Sequence, residues 1–226
     1  MALLPVAFYV MRRGKKSFDT SSSAEDAVAQ DAIRRWFVFA TLKRAFRASS
    51  DTILARLRAL LTDVGASTPF PASNLYTALG IEPQFTEAEI DRILDYGYQG
   101  QYTTLVLSLL HPDRDWKDAV FHEDHIFPQA EFQPGPLKRR GYDDARVQSY
   151  IAKYNSLPNL ELLTDTENIS KSAKPFEEWI RTRDPAFRQR HLIPELTSYG
   201  FDAFEDFFAA RRASMVAKLK ELEPHQ

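Results

Sequence analysis

The chain contains no cysteine. That excludes disulfides, thiolate nucleophiles and every zinc site with a sulfur ligand. It fits a reducing compartment, so the expected location is cytoplasmic. Long apolar runs are missing as well. The first eleven residues are largely apolar, and Arg12, Arg13, Lys15 and Lys16 follow them. A secretory signal has its positive charge first, so the order here is reversed. The run also falls well short of the roughly 20 residues that a membrane span needs. It reads as a buried helix, and no membrane partner is expected. A chain that opens directly into core sequence reads as the later part of a longer protein. There is no internal repeat and no low-complexity tract. Nor is there a bulk excess of positive charge, the common mark of a nucleic-acid binder, since the net charge is −2.

Charge is unevenly spread, however, and its distribution matters more than its total. Residues 134–191 hold eleven Lys and Arg against eight Asp and Glu. The chain has 226 residues, of which 44% are hydrophobic and 27% charged. Those values suit a soluble protein with a real core, in one large domain or two small ones.

Helical spacing dominates the first half. Apolar residues from Ala27 to Phe46 recur along a helix between Ser22 and Ala48. Ser50 or Asp51 can cap a second helix through Leu61, with Gly65 beyond its end. Thr86 and Glu89 match a capping box for a helix through Ile90, Ile93 and Leu94. Tyr102 to Leu110 reads as a buried helix ending before Pro112, and residues 66–75 and 111–118 as loops. From about residue 119 the texture changes. Ala119 to Phe127 reads as a strand ending at Pro128, and Gln133-Pro134-Gly135-Pro136 as turns. Asp143 or Asp144 can start a helix through Tyr154. Asn159 to Leu163 reads as a short strand, and Asp165 or Thr166 as the N-cap of a helix holding Asn168, Lys171 and Lys174. Pro175 opens a helix with Phe176, Trp179 and Ile180. A last amphipathic helix runs from Asp202 to about Glu223. The expected fold is mainly α. A helical region spans 1–115, and a core at 116–200 holds a short two-stranded hairpin plus helix. A tail helix at 201–226 packs back on that domain.

One constellation carries chemistry. The first strand ends in Asp124-His125, the second opens with Asn159, and the next helix carries Asn168. A hard cation such as magnesium or manganese takes oxygen ligands and often only one or two protein groups. The Asp124 carboxylate and the Asn168 amide oxygen would make such a sparse site. His125, with an unperturbed pKa of about 6.5, can take a proton from water at neutral pH. Asn159 can tie the loop bearing that base to the second strand. Lys171 and Lys174, near Asn168, can neutralise phosphates. So can Arg139 and Arg140, in a basic run that on its own reads as a solvated loop. Strand alternation puts Asp124 with His122, so these two form an alternative metal pair unless the strand ends at His125. His111 and His191 read as structural, and Trp116 and Trp179 as core.

Three segments in order, Asp124-His125-Ile126-Phe127-Pro128, Asn159-Leu160-Glu161-Leu162-Leu163 and Glu167-Asn168-Ile169-Ser170-Lys171, resemble the HNH, or ββα-metal, nuclease pattern. The resemblance implies metal ligation by Asp124 and Asn168, a general base at His125 and a brace at Asn159. With Lys174-Pro175-Phe176 and Arg190-His191-Leu192-Ile193-Pro194, residues 119–200 resemble the C-terminal half of GmrSD-type bacterial proteins. Those join a ParB-like N-terminal domain to an HNH domain and are associated with restriction of phage or modified DNA. This chain has no Asp-Gly-Gln-Gln-Arg-like motif, so nucleotide hydrolysis and recognition of modified bases are not carried over. The implied function is a metal-dependent DNA endonuclease of a restriction or phage-defence system, with a ParB-like domain or subunit as partner. The alternatives are a non-catalytic DNA-binding module with a degenerate HNH fold, and an RNase or toxin.

Overall fold

The structure, a computed structural model, describes residues 2–14, 23–46, 51–64, 69–111 and 120–223. The readings made of Lys15, Lys16, Ser50, Gly65, Trp116, Ala119 and most of the loop at 111–118 lie outside those residues. The chain is mainly helical, with one two-stranded antiparallel pair. It divides into two compact units, residues 1–89 with 219–226 and residues 90–218. Among the described residues, no helix is long and apolar enough to cross a membrane.

The first unit holds α1 (Leu3–Arg13), α2 (Ala24–Leu42), α3 (Asp51–Asp63) and α4 (Ala72–Leu79). Ser23 caps α2 by accepting the Asp26 N–H at 3.2 Å, as a short polar side chain does at an exposed first turn. Trp36, Phe39 and Leu42 of α2 pack with Phe70 and Tyr76 in the core. The opening helix is less enclosed than its composition suggests. Tyr9 is buried against Phe70, while Leu3, Leu4 and Met11 stay at least half exposed. The expected buried helix is therefore half-open, because one face of eleven residues is all that its neighbours cover.

The second unit contains the strand pair. Its helices include α6 (Thr103–Ser108), α7 (Pro134–Arg139), α8 (Asp144–Lys153), α9 (Asp165–Lys171), α10 (Phe176–Arg181), α11 (Pro185–Arg190) and most of α12 (Phe204–Lys220). The α5 helix (Glu87–Leu94) opens on the expected capping box: the Thr86 N–H donates to Glu89, and the Glu89 N–H to the Thr86 hydroxyl. The second unit begins at residue 90, ahead of the strands. The reason is local: the Gln99 N–H and the Thr104 hydroxyl both donate to the Glu123 carboxylate, and α6 packs on the second strand. These segments belong with the strands.

The stretch read as turns from Gln133 to Pro136 is instead the start of α7. Proline at a first helical turn lacks only an N–H that would be unpaired there anyway. The strands β1 (Phe121–His125) and β2 (Leu160–Thr164) run antiparallel, with Asp124 opposite Glu161 and His125 opposite Leu160. Thr164 rather than Asp165 or Thr166 caps α9, closing a capping box with Glu167. The α9 helix packs on both strands. It stops at Ser172, whose φ of 49° lies in the left-handed region, so Lys174 falls beyond the helix end.

The core beside the strands is aromatic. Phe127, two residues past β1, meets Phe176, Phe204 and Phe207 at 4.8, 5.3 and 5.1 Å between ring centroids. Trp179 is buried in the same cluster. In α12 the buried positions are 204, 207, 211, 215 and 219, a helical stripe. Its centre is a charged residue, Arg211. There the guanidinium donates to the carbonyls of Leu157, Pro158, Leu160 and His191, so the C-terminal helix holds the entry to β2. Burial pushes the Arg211 pKa down to about 10, against the opposing pull of Glu161.

Candidate active site

His125 is the last residue of β1. Its ring is 7% exposed in all and lies against Tyr98 and Tyr154, at 5.1 and 5.9 Å between centroids. Its Nε2 stands 3.1 Å from the Asn155 amide oxygen. Burial lowers the imidazole pKa below its ordinary value; the Asn155 hydrogen bond and the Asp124 charge recover part of that loss. Burial therefore favours the neutral form, the state in which an imidazole accepts a proton.

Asn159 is fully buried. Its amide oxygen accepts the Phe127 N–H at 3.0 Å, and its amide nitrogen donates to the carbonyls of Tyr154 at 2.8 Å and Phe127 at 3.3 Å. Its own carbonyl accepts the Ile126 N–H. One side chain thus ties the segment after the histidine to the turn after α8. Every polar atom of the amide is used, as burial demands.

Asp124 and His125 leave the strand on opposite faces, as alternation requires. Asp124 turns toward α9, where its Oδ2 lies 2.7 Å from the Lys171 ammonium. Only its side chain, 29% exposed, joins that contact to solvent. Lys171 also donates to the His125 carbonyl at 2.6 Å and to Glu161 Oε1 at 2.8 Å. An ammonium has three N–H donors, and all three are engaged. Lys171 is also 1% exposed, so its expected place at a nucleic-acid phosphate is corrected: it is an internal cross-link between α9 and both strands.

Glu161, opposite Asp124 in the register, is 1% exposed. Burial would raise its pKa, but Lys171 and His191 outweigh burial and hold it far below the carboxylate range. His191 Nδ1 is 3.0 Å from Glu161 Oε2, though outside hydrogen-bond alignment, and its ring stacks on Phe187 at 3.9 Å. His111 meets the same imidazole edge-on at 5.0 Å. Both histidines are buried.

Asn168 sits on α9 and is half-buried. Its amide makes no hydrogen bond among the described residues, so its oxygen is available to a ligand. His122 does not turn to Asp124; its Nε2 engages Asp165 at the start of α9. Among the described residues, no three His, Asp or Glu side chains form a metal cage. Of the expected phosphate contacts, Arg139 is exposed and Lys174 reaches the Ser170 carbonyl from an exposed position. Arg140 is bound to Glu131 and lies over the Phe201 ring at 4.4 Å.

The chain matches no protein-family model and no curated protein. Its chemistry rests on the residues themselves. Sequence reasoning missed Asn155, Tyr98 and Glu161. Asn155 belongs to no spacing pattern, and Glu161 passes for a solvent-facing strand residue. The one usable signal for Glu161 was its place in register with Asp124.

Proposed function

We propose that this chain is a metal-dependent endonuclease of the HNH type that hydrolyses a DNA phosphodiester. The observation that carries the reading is the buried His125 imidazole. It is held at the end of a strand whose partner follows directly on a fully bonded Asn159, with α9 and its unpaired Asn168 amide packed on both strands. Asp124 and Asn168 each offer an oxygen, the donor type a hard divalent cation takes, from a partly exposed side chain. Magnesium or manganese there would supply Lewis-acid stabilisation of charge on the phosphate and leaving oxygens.

His125 takes a proton from the attacking water as the general base. Asn159 keeps the residues after it from drifting, and Lys171 holds the Asp124 carboxylate by one oxygen. Because Asp124 and His125 occupy opposite faces, their shared substrate lies across the open end of the strand pair. Arg139 and Lys174 are the available cations for the DNA backbone. A restriction or phage-defence setting, with a ParB-like domain as partner, follows from the resemblance of residues 119–200.

Cleavage of plasmid DNA with magnesium or manganese tests the reading, with His125→Ala beside the wild type. We expect the variant to lose at least ~10²-fold in rate, the lower range for a positioned base, while still binding DNA. Equal cutting by both proteins would refute it. The Lys171–Asp124 pair favours one rival: a domain whose acidic ligand is neutralised internally could bind DNA without cutting it. Tight DNA binding with no cleavage under any divalent metal would decide for that rival.

A further inference from the structure

Asn155 lies in the turn after α8 and faces two donors. Its Oδ1 is 3.2 Å from the Tyr98 backbone nitrogen and 3.1 Å from His125 Nε2. A backbone N–H can only donate, so the amide end facing Tyr98 is the oxygen. That settles which way the amide points without reference to the histidine. An oxygen that also faces His125 Nε2 requires a proton on that nitrogen. A neutral imidazole carries one ring proton, so Nδ1 is left with the lone pair.

We propose that Asn155 is a positioning residue that fixes the tautomer of His125, making Nδ1 the atom that accepts the proton. This rests on the reading of His125 as the base and specifies the atom through which it acts. Further contacts hold the arrangement. The rings of Tyr98 and Tyr154 lie on His125 at interplanar angles of 35° and 28°, which restricts rotation of the imidazole. The Tyr154 carbonyl, next to Asn155, is held by Asn159 at 2.8 Å. Gly97 allows the approach, since a Cβ there would stand 3.0 Å from both the Asn155 side-chain nitrogen and its carbonyl oxygen. The brace Asn159 therefore reaches the imidazole by two routes, through Phe127 and through the turn that carries Asn155.

The test is long-range ¹H–¹⁵N correlation on the full ¹⁵N-labelled chain at neutral pH. The chain has five histidines, and the His125→Ala spectrum identifies the signals of His125. In the wild type we expect protonated Nε2 and unprotonated Nδ1. Asn155→Ala removes the acceptor, and the two tautomers should then mix. Asn155→Asp keeps an acceptor oxygen in the same place, so the wild-type pattern should return even if the alanine variant folds poorly. An unchanged tautomer in Asn155→Ala, or loss of the Nε2 proton in Asn155→Asp, would overturn the proposal. In the cleavage assay, Asn155→Ala should lower kcat by about 10–100-fold, as loss of an orienting partner does, with KM for DNA unchanged. A tautomer that responds to Asn155 in a protein that never cuts DNA would sink the nuclease reading alone. Cleavage by a wild type whose tautomer ignores Asn155 would sink this proposal alone.

Discussion

Lys171→Met removes the ammonium and keeps most of the side-chain volume that fills the space between α9 and the strands. Glu161, 1% exposed, loses the partner of Oε1. The His125 carbonyl loses a donor, and Asp124 falls back on water. Removing one member of a buried pair costs roughly 3–5 kcal/mol, because the other charge is left in a poor solvent. His191 limits the damage. Its Nδ1 stays 3.0 Å from the other Glu161 oxygen. The lower end, about 3 kcal/mol, is therefore expected.

The chain has two compact units, so a single melting curve does not isolate this effect. Hydrogen exchange of the amides of β2 reads it locally. Those amides should lose about 3 kcal/mol of protection, a factor of roughly 10² in exchange rate. Adding Glu161→Leu should restore most of it, since an apolar pair replaces a buried ion pair at little cost. A loss below about 1 kcal/mol for Lys171→Met, well under the usual cost of an unpaired buried charge, would refute the reasoning. So would a double variant no more protected than the single.

Two further outcomes follow from the same geometry. Asn159→Ala leaves the Phe127 N–H and the Tyr154 carbonyl buried without partners, at ~1–3 kcal/mol for each orphaned group. Hydrogen exchange of the neighbouring amides should show the loss, and His125-dependent cleavage should fall with it. The His125 pKa is depressed by burial, so its proton-accepting form is favoured at neutral pH and is lost as pH falls through a value under 6.5. The acid limb of kcat/KM against pH should therefore lie below 6.5, and a limb above it would contradict the burial of the ring.

Local signals were legible in the sequence wherever the physics is local. Thr86 with Glu89 and the N-cap at Asp143 needed only their own first turns, and both caps form. The two strands were legible in outline, but β1 ends at His125 rather than running on to Phe127, and Asn159 closes a turn ahead of β2 rather than opening the strand. What eluded the sequence depends on distant partners. Lys171 reads as one more cation on a polar helix until Glu161 and Asp124, ten and forty-seven residues away, are brought to it by the register of the strands. Asn155 is an ordinary turn residue until Tyr98 arrives on one side and His125 on the other. The proline-rich start of α7 misleads because the same residues serve a turn and a first helical turn equally well.

Arg211 has a consequence in the order of synthesis. The carbonyls it collects belong to residues 157, 158, 160 and 191, all made before it. A nascent chain that has released β1, β2 and α9 still lacks the donor that closes the approach to Asn159. The catalytic candidates are thus seated by a residue made after all of them. An unfinished chain, or one clipped ahead of α12, carries all four motif residues without the clasp that seats them.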